Sequence, residues 1–527
     1  MYAKSYNVST RTTRSAEAAL DQVIIAALCV YRVFSHPLAK YPGPLSYKLS
    51  GWPLVWQAYK GDRHIWHLLD HEAYGPIVRI APNTLSFNTP SALNAIYGTR
   101  TANVKKGEFY KTFDIAAGTY SSFTETDKDK HAVKRRWMTP AFATASIKAN
   151  EPLVIDVIQR FCEHLKPKDN GWGQKWNAHQ FSVYLGFDIM GTLVFGKDFR
   201  SVQDEENRDL ANCVLPAQTL LYWRHELSYL PVAFLVRPFL RSRLFEIIGG
   251  EPVRDNNRLI DYGKEQVQLR LSSNEGNEKG LEGRIDFLSK LVAFDGDKKS
   301  GWYPRSLDLD TEALNMTVAG ADPFSHVLAG TFFYLVHNPE YLKKASEEVR
   351  STFTSTEDIV GGTELNSCTY LYACIEESLR LLAPVPSHVP RVVLPGGMTI
   401  DDHFFPEGTV VGVPQYAIHH NEDYFLDSFK FSPERWIPSP TRPQSAIDEM
   451  RKAFEPFGVG IRGCVGKNLA YLQLKLTLAH FLWRFDIREC ESDKGVGSGG
   501  RGLGVGRERE DEYQLWDALG ALSREVT

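Results

Sequence analysis

The sequence predicts one large, mostly helical body, and three observations carry that prediction. Its 527 residues would ordinarily suggest about three domains, yet no Pro/Ser-rich or charge-rich linker divides the middle of the chain. The run from Asp310 to His337 keeps apolar residues at Leu314, Val318, Ala321 and Leu328, and Pro323 is its one proline; this is the pattern of a long buried helix. A second apolar pattern (Leu469, Leu472, Leu476, Ala479, Trp483) at three- and four-residue spacing follows a glycine-rich loop.

Composition narrows the function classes. A net charge of -4 lacks the dominant basic field that nucleic-acid binding needs. Seven scattered cysteines without a CxxC pair read neither as a disulfide scaffold nor as a zinc site. Hydrophobic residues at 43% suffice for a large core.

At the amino end, Val23 to Tyr31 (VIIAALCVY) lies between Asp21 and Arg32. This run is shorter than the about 20 apolar residues that span a bilayer, although Ala16 to Phe34 would serve as a tilted anchor. A proline-rich joint, His36 to Pro44, follows. Residues 1–36 are therefore expected to tether a catalytic body, residues 37–527, to a membrane face, the alternative being an ordinary amphipathic first helix. Asn7-Val8-Ser9 is a glycosylation sequon that matters only if this end is lumenal; Asn315-Met316-Thr317 lies inside the long helix and is set aside.

The long helix, if it runs from Asp310 to His337, is about 42 Å long. Pro323 removes one backbone donor and leaves the carbonyl of Ala319 without its partner. A break of this kind is either a tolerated kink or a functional groove. Asn338-Pro339 then reads as a cap and first-turn residue of a new helix.

The chemistry centres on Pro456 to Gly466, PFGVGIRGCVG. Four glycines, at 458, 460, 463 and 466, surround Cys464 and would let a flat ligand approach the backbone. The sulfur stands on a tight loop at a helix amino end, where dipole and backbone donors favour thiolate, with Arg462 as a nearby cation. A thiolate presented to a large planar cofactor is what an iron porphyrin needs.

Phe457, Gly460, Arg462, Cys464 and Gly466 match the FxxGxRxCxG haem-binding signature, and here the chain resembles the cytochrome P450 family. Glu377-Ser378-Leu379-Arg380 resembles its ExxR element and Pro433-Glu434-Arg435-Trp436 the later motif whose arginine joins that pair, in the family's order. The resemblance spans about Pro42 to Phe485 and is closest in phrasing to filamentous-fungal biosynthetic members, as in YGPIVRIAPN, HNPEYLKKASEEVR and YAIHHNEDYF. It implies a mainly α fold with a small β-rich lobe, haem b with Cys464 as the metal ligand, and O2 as co-substrate. It also implies electrons from an NADPH-cytochrome P450 reductase, a small apolar substrate, and residence on the cytosolic face of the endoplasmic reticulum membrane.

By the same resemblance, His131 and Arg135 occupy the WxxxR positions, histidine replacing tryptophan, and would pair with a haem propionate. Arg391 and Arg462 would reach propionates too, while Glu377, Arg380 and Arg435 are structural. The family's long helix carries [AG]GxDT[TS]; this chain keeps Ala319, Gly320 and Asp322 but places Pro323 and Phe324 at the hydroxyl positions. Proline still opens a groove but donates no proton, and Ser325 lies about 200 degrees round the helix. Proton delivery would fall to Asp322, to ordered water or to a substrate hydroxyl, so Asp322 and Pro323 are the candidate catalytic residues.

The expected activity is a haem-thiolate monooxygenase of fungal secondary metabolism. The alternatives are a reductase-independent haem-thiolate isomerase or dehydratase, which would not need the threonine, and a non-catalytic haem or lipophile binder. Candidate pocket walls are the loop from Phe109 to Phe123, the helix near Asn315 and Ala319, and Ser387-His388-Val389. Gly495, Gly497 and Gly500 fit GxGxxG by chance inside a glycine-rich surface insertion, about 494–507, without flanking strand and helix. His419-His420 reads as a structural turn rather than a metal site. Arg451, Lys452 and Lys467 are basic groups suited to an acidic partner surface.

Overall fold

The computed structural model describes residues 9–113, 118–167, 172–214, 216–220, 222, 243–276, 286–294, 296–297, 299–490, 498–499, 509–518 and 520–523. Helices dominate. Those that place the site are α1 (Ser9–Val30), α2 (Trp52–Lys60), α3 (Arg63–Tyr74), α4 (Lys128–Met138), α5 (Thr144–Leu165), α6 (Ala178–Phe195), α7 (Ser306–His337), α8 (Pro339–Thr352), α9 (Thr369–Leu382), α10 (Gln415–His419) and α11 (Lys467–Arg484).

A five-stranded sheet forms the smaller lobe from β1 (Ile77–Ala81), β2 (Thr84–Phe87), β3 (Val104–Lys106), β4 (Arg391–Val393) and β5 (Val410–Gly412), in the order β1-β2-β5-β4-β3. Only the β2–β5 pair is parallel. At the carboxyl end, β6 (Arg509–Tyr513), β7 (Leu515–Ala518) and β8 (Gly520–Ser523) return against the helical body, and Asp517 N–H donates to Gly61 O at 2.8 Å. The glycine-rich tract 494–507 lies outside the described residues apart from Ser498–Gly499, which pair with β6.

The long helix starts four residues earlier than its apolar pattern suggests. Asp308 accepts from the Arg305 backbone N–H at 3.1 Å and from its guanidinium at 2.9 Å, so a polar first turn is held by a carboxylate reaching back to the residue before the helix. At 32 residues α7 is about 48 Å long, and it runs through the main core. It remains helical through Pro323. Helix α6 lies almost in backbone contact with it: a Cβ on Gly186 would stand 2.6 Å from Ser325 Oγ and 2.8 Å from Ala321 O. Asn338 does not cap α8 with its side chain. Its amide turns back to donate to Tyr334 O at 2.8 Å.

Among the described residues no helix is long and apolar enough to cross a membrane. In α1 the apolar run is exposed from Leu20 to Val30. The chain beyond it is anchored, because the carbonyl of Arg32 accepts from fully buried Arg79 at 2.8 Å and Leu38 is 1% exposed.

Candidate functional site

A cavity of about 350 Å³ lies between α7 and the loop that carries Cys464, with the sheet lobe closing one end. The loop is set by turns only glycine takes easily. Gly458 and Gly460 have φ of 65° and 69°, and a Cβ on Gly460 would fall 2.2 Å from Tyr97 O. That glycine therefore makes room for the protein's own backbone rather than for a flat ligand. Cys464 N–H donates to Phe457 O at 2.8 Å, and α11 begins three residues on.

Behind the loop, the ExxR pair is a fixed bracket. Glu377 and Arg380, both 0% exposed, are joined by two bonds of 2.8 and 3.0 Å, and Arg435 and Trp436 Nε1 donate to the same carboxylate at 3.3 and 2.9 Å. Against the burial that would raise it, Arg380 and Arg435 hold the Glu377 carboxyl below the usual range. Arg380 also donates to His419 O at 2.8 Å, and His419 Nε2 accepts from Glu455 N–H at 3.2 Å. His419 thus closes α10 and links the bracket to the foot of the cysteine loop.

Cys464 has exposed surface that opens into the cavity. Burial pushes its thiol up, opposed by the Gly466 and Lys467 backbone N–H groups and by the charges of Arg135 and Lys467. The helix-end donors do favour thiolate, as the sequence suggests, but burial outweighs them. Arg135, not Arg462, is the arginine beside the sulfur, with Nη1 donating to Gly463 O at 2.9 Å. A cationic ligand on the sulfur is what would settle the thiolate form.

The predicted cofactor contacts come together at the sheet end of the cavity. His131, Arg135, Arg391 and Arg462 all line it. Lys106, which the sequence reading missed, joins them, as does Tyr110 from the expected wall loop. In the β3–β4 register Lys106 stands opposite Arg391, a like-charge pair that is ordinarily destabilising. Arg391 Nη1 donates to Tyr110 OH at 2.8 Å and its guanidinium lies over the Tyr97 ring at 4.9 Å. Lys106 Nζ donates to Phe123 O, and Arg462 donates to Glu125 O at 2.7 Å and Asp127 O at 3.2 Å.

Burial is the largest cause of the shifts here, and neighbouring positive charge adds to it at Lys106, His131 and Arg462. Burial, then Arg391 and Arg462, pushes the Lys106 ammonium well down. Burial, then Arg462, Lys106, Arg135 and Arg391, holds the His131 imidazole down at about 3. Burial and Arg391 lower Arg462 to about 10. Five basic side chains around one cavity edge, with Glu125 and Asp127 as the nearby carboxylates, make a site for an anionic ligand. A planar group bearing two carboxylates, bound through a metal to Cys464, fits this donor set.

Over the cavity, Ala319, Gly320, Pro323 and Phe324 of α7 face inward. Asp322 is not part of that wall. It is half-buried on the flank of α7, hydrogen-bonded to Gln218, and burial pushes its carboxyl up to about 7. Ser325 is committed elsewhere, its hydroxyl directed at Ala321 O (2.6 Å) and Ser182 O (2.8 Å).

The loop that follows residues 114–117, themselves outside the described residues, supplies Ser122 and Phe123 to the wall. Glu312 of α7, 0% exposed, accepts from Ser122 N–H and from Ser122 Oγ at 3.0 Å. Lys134 ties Tyr120 O to Asp308 beside it, at 2.5 and 3.3 Å. Of the third predicted wall, Val389 lines the cavity, whereas Ser387 is bonded to Asp517 and Arg63 behind it. Arg451 is also committed, to buried Glu376 at 2.6 Å.

The chain is similar along most of its length to one family of proteins. The family model described as Cytochrome P450 matches residues 48–505. The chain is 35% identical to cytochrome P450 monooxygenase fscF of Fusarium equiseti, over 88% of this chain and 87% of that protein. It is 34% identical to cytochrome P450 monooxygenase poxM of Penicillium oxalicum, over 92% and 91%. Similarity to cytochrome P450 monooxygenase apf7 of Gibberella fujikuroi is 34%, over 89% of each chain.

Proposed function

The chain belongs to the cytochrome P450 family and is a haem-thiolate monooxygenase, and from that premise we propose that it oxidises a small, largely apolar metabolite of fungal secondary metabolism. Enzymes of this kind use O2 and a redox partner; the partner proposed is NADPH-cytochrome P450 reductase, and the cofactor haem b. One observation carries the reading: a cysteine sulfur opens into a cavity lined by five basic groups.

Cys464 would hold the metal, and Lys106, His131, Arg135, Arg391 and Arg462 with Tyr110 would hold the carboxylates. Bound there, haem supplies activation of O2 and transfer of one oxygen atom to substrate. Pro323 leaves the cavity-facing Ala319 without its helical donor, so the Ala319 carbonyl is open to a hydrogen bond from within the cavity. The Asp322 carboxyl, pushed up to about 7 by burial, is the proposed proton reservoir, acting through water because it stands off the cavity wall. Phe123, Phe324 and Val389 keep bulk water from the apolar part of the wall.

The proposed location is the cytosolic face of the endoplasmic reticulum membrane. Supporting it, the exposed apolar run of α1 is joined by Trp52 and Trp56 of α2, each 58% exposed, and side chains of this kind bind a membrane surface.

The experiment is the Cys464→Ala variant. It should lose the red-shifted absorption of the ferrous carbon monoxide complex, which a thiolate ligand produces; retention of that band would remove the basis of the assignment. Product formed at full rate without O2 would instead establish an isomerase or dehydratase.

A further inference from the structure

Among the described residues, the cavity wall holds a side-chain amide that makes no hydrogen bond. Away from the basic cluster, Tyr97 OH donates to Val389 O at 2.8 Å and accepts from Val413 N–H at 3.0 Å. Gln415 donates to Glu455 O at 2.8 Å, Gln473 to Met190 Sδ at 3.7 Å, and Ser122 to Glu312. Asn315 lines the same cavity, and among the described residues its amide makes no hydrogen bond. It stands on α7 about one turn beyond Glu312 and one turn before Ala319, about 4.5 Å and about 6 Å along the helix from them. Its neighbours on the wall, Met316 and Ala319, are apolar.

We infer that Asn315 is the polar recognition group for substrate, and that the substrate class is an apolar molecule carrying one uncharged hydrogen-bonding group, a hydroxyl or a carboxamide. The inference rests on the monooxygenase reading and deepens it. A wholly apolar occupant would strip water from the amide and leave its donors and acceptor unpaired. The amide offers both donors and an acceptor, so a hydroxyl or amide on the substrate satisfies it in either direction.

Ser122 adds to this selection. Its single hydroxyl hydrogen is given to Glu312, so only lone pairs remain for a ligand, and these accept from a substrate O–H or N–H. A carboxylate would have no proton for Ser122 and would approach the Glu312 carboxyl one turn back. The selected group lies one to two helical turns from the cavity-facing stretch Ala319 to Pro323, so the oxidised carbon is remote from the recognised group rather than adjacent to it.

The test uses the haem-loaded protein and an eight-carbon series: octane, octan-1-ol, octanamide and octanoate. Dissociation constants come from the optical difference spectrum of the haem. Wild type should bind the alcohol and the amide about 5- to 150-fold more tightly than octane, the range set by leaving a buried amide unpaired, and octanoate no more tightly than octane. Asn315→Leu should abolish the preference by tightening octane binding towards that of the alcohol, while the haem spectrum stays unchanged, which also shows that the variant is folded. Should the leucine variant lose haem, Asn315→Ala takes its place with the same expectation.

Equal binding of alcohol, amide and alkane by wild type, or a preference that survives in both variants, would overturn the assignment. Tight, Asn315-dependent octanoate binding would overturn its uncharged part. NADPH- and O2-dependent oxidation in the same preparation is scored separately. Its absence alongside an Asn315-dependent preference would overturn the monooxygenase reading and leave the recognition role standing.

Discussion

Replacing Glu312 with leucine should loosen the substrate-facing loop without unfolding the protein. The Glu312 carboxyl accepts two hydrogen bonds from one residue, Ser122, through its N–H and its hydroxyl. Leucine matches the volume but takes neither. Each bond to a buried carboxyl is worth about 1–1.5 kcal/mol net, so local closure weakens by about 2–3 kcal/mol. That raises the open population of the loop about 30- to 150-fold, at 1.4 kcal/mol per factor of ten. The assay is amide hydrogen exchange by mass spectrometry on peptides from 118–127, at pH 8, where the carboxyl, at about 7, is ionised. Helix α5, which makes no contact with Glu312 through these bonds, is the internal control. Unchanged exchange in 118–127 would refute the latch, and equal acceleration in α5 would show that the substitution had destabilised the whole body.

Three further outcomes are expected. Pro323→Thr should keep fold and haem, since threonine suits this position in a helix and restores a donor to Ala319 O; the ratio of hydroxylated product to peroxide per NADPH should rise, and an unchanged ratio would separate Pro323 from proton handling. His326, 1% exposed, has its imidazole held down at about 3 by burial, so the unfolded chain takes up this proton first and stability falls as pH drops below 6.5. His326→Leu should therefore gain about 2 kcal/mol on wild type between pH 8 and pH 5 in denaturant unfolding; parallel curves would refute it. Deleting residues 1–30 should release the protein from membranes with haem retained, whereas a cut at Tyr41 removes the Arg32 carbonyl that Arg79 needs and should lower stability as well; sedimentation and haem content read both.

What was legible in the sequence was what neighbours along the chain decide. The cysteine loop and the ExxR helix are local patterns, and their spacing alone places Cys464, Glu377 and Arg380. Lys106 could have been found as well, because alternation along β3 puts it on the same inward side as Val104. The Glu312–Ser122 latch could not, for its partners are 190 residues apart and neither sits in a recurrent motif. The role of Gly460 was misassigned for a related reason, since the backbone it makes room for, at Tyr97, belongs to a distant segment. Asn315 was legible as a wall residue, but that its amide is uncommitted emerges only when the bonds of every other polar group on the wall are traced.

The loop at 118–127 is laced along two edges. Glu312 and Lys134 hold one edge to α7, while Lys106 and Arg462 hold the other to the cofactor end. The second set of laces consists of cations whose mutual repulsion is relieved by an anionic ligand. An anionic cofactor that relieves this repulsion would therefore also steady the loop that supplies Ser122 and Phe123 to the cavity wall, so that filling the cofactor site and shaping the substrate chamber would be coupled.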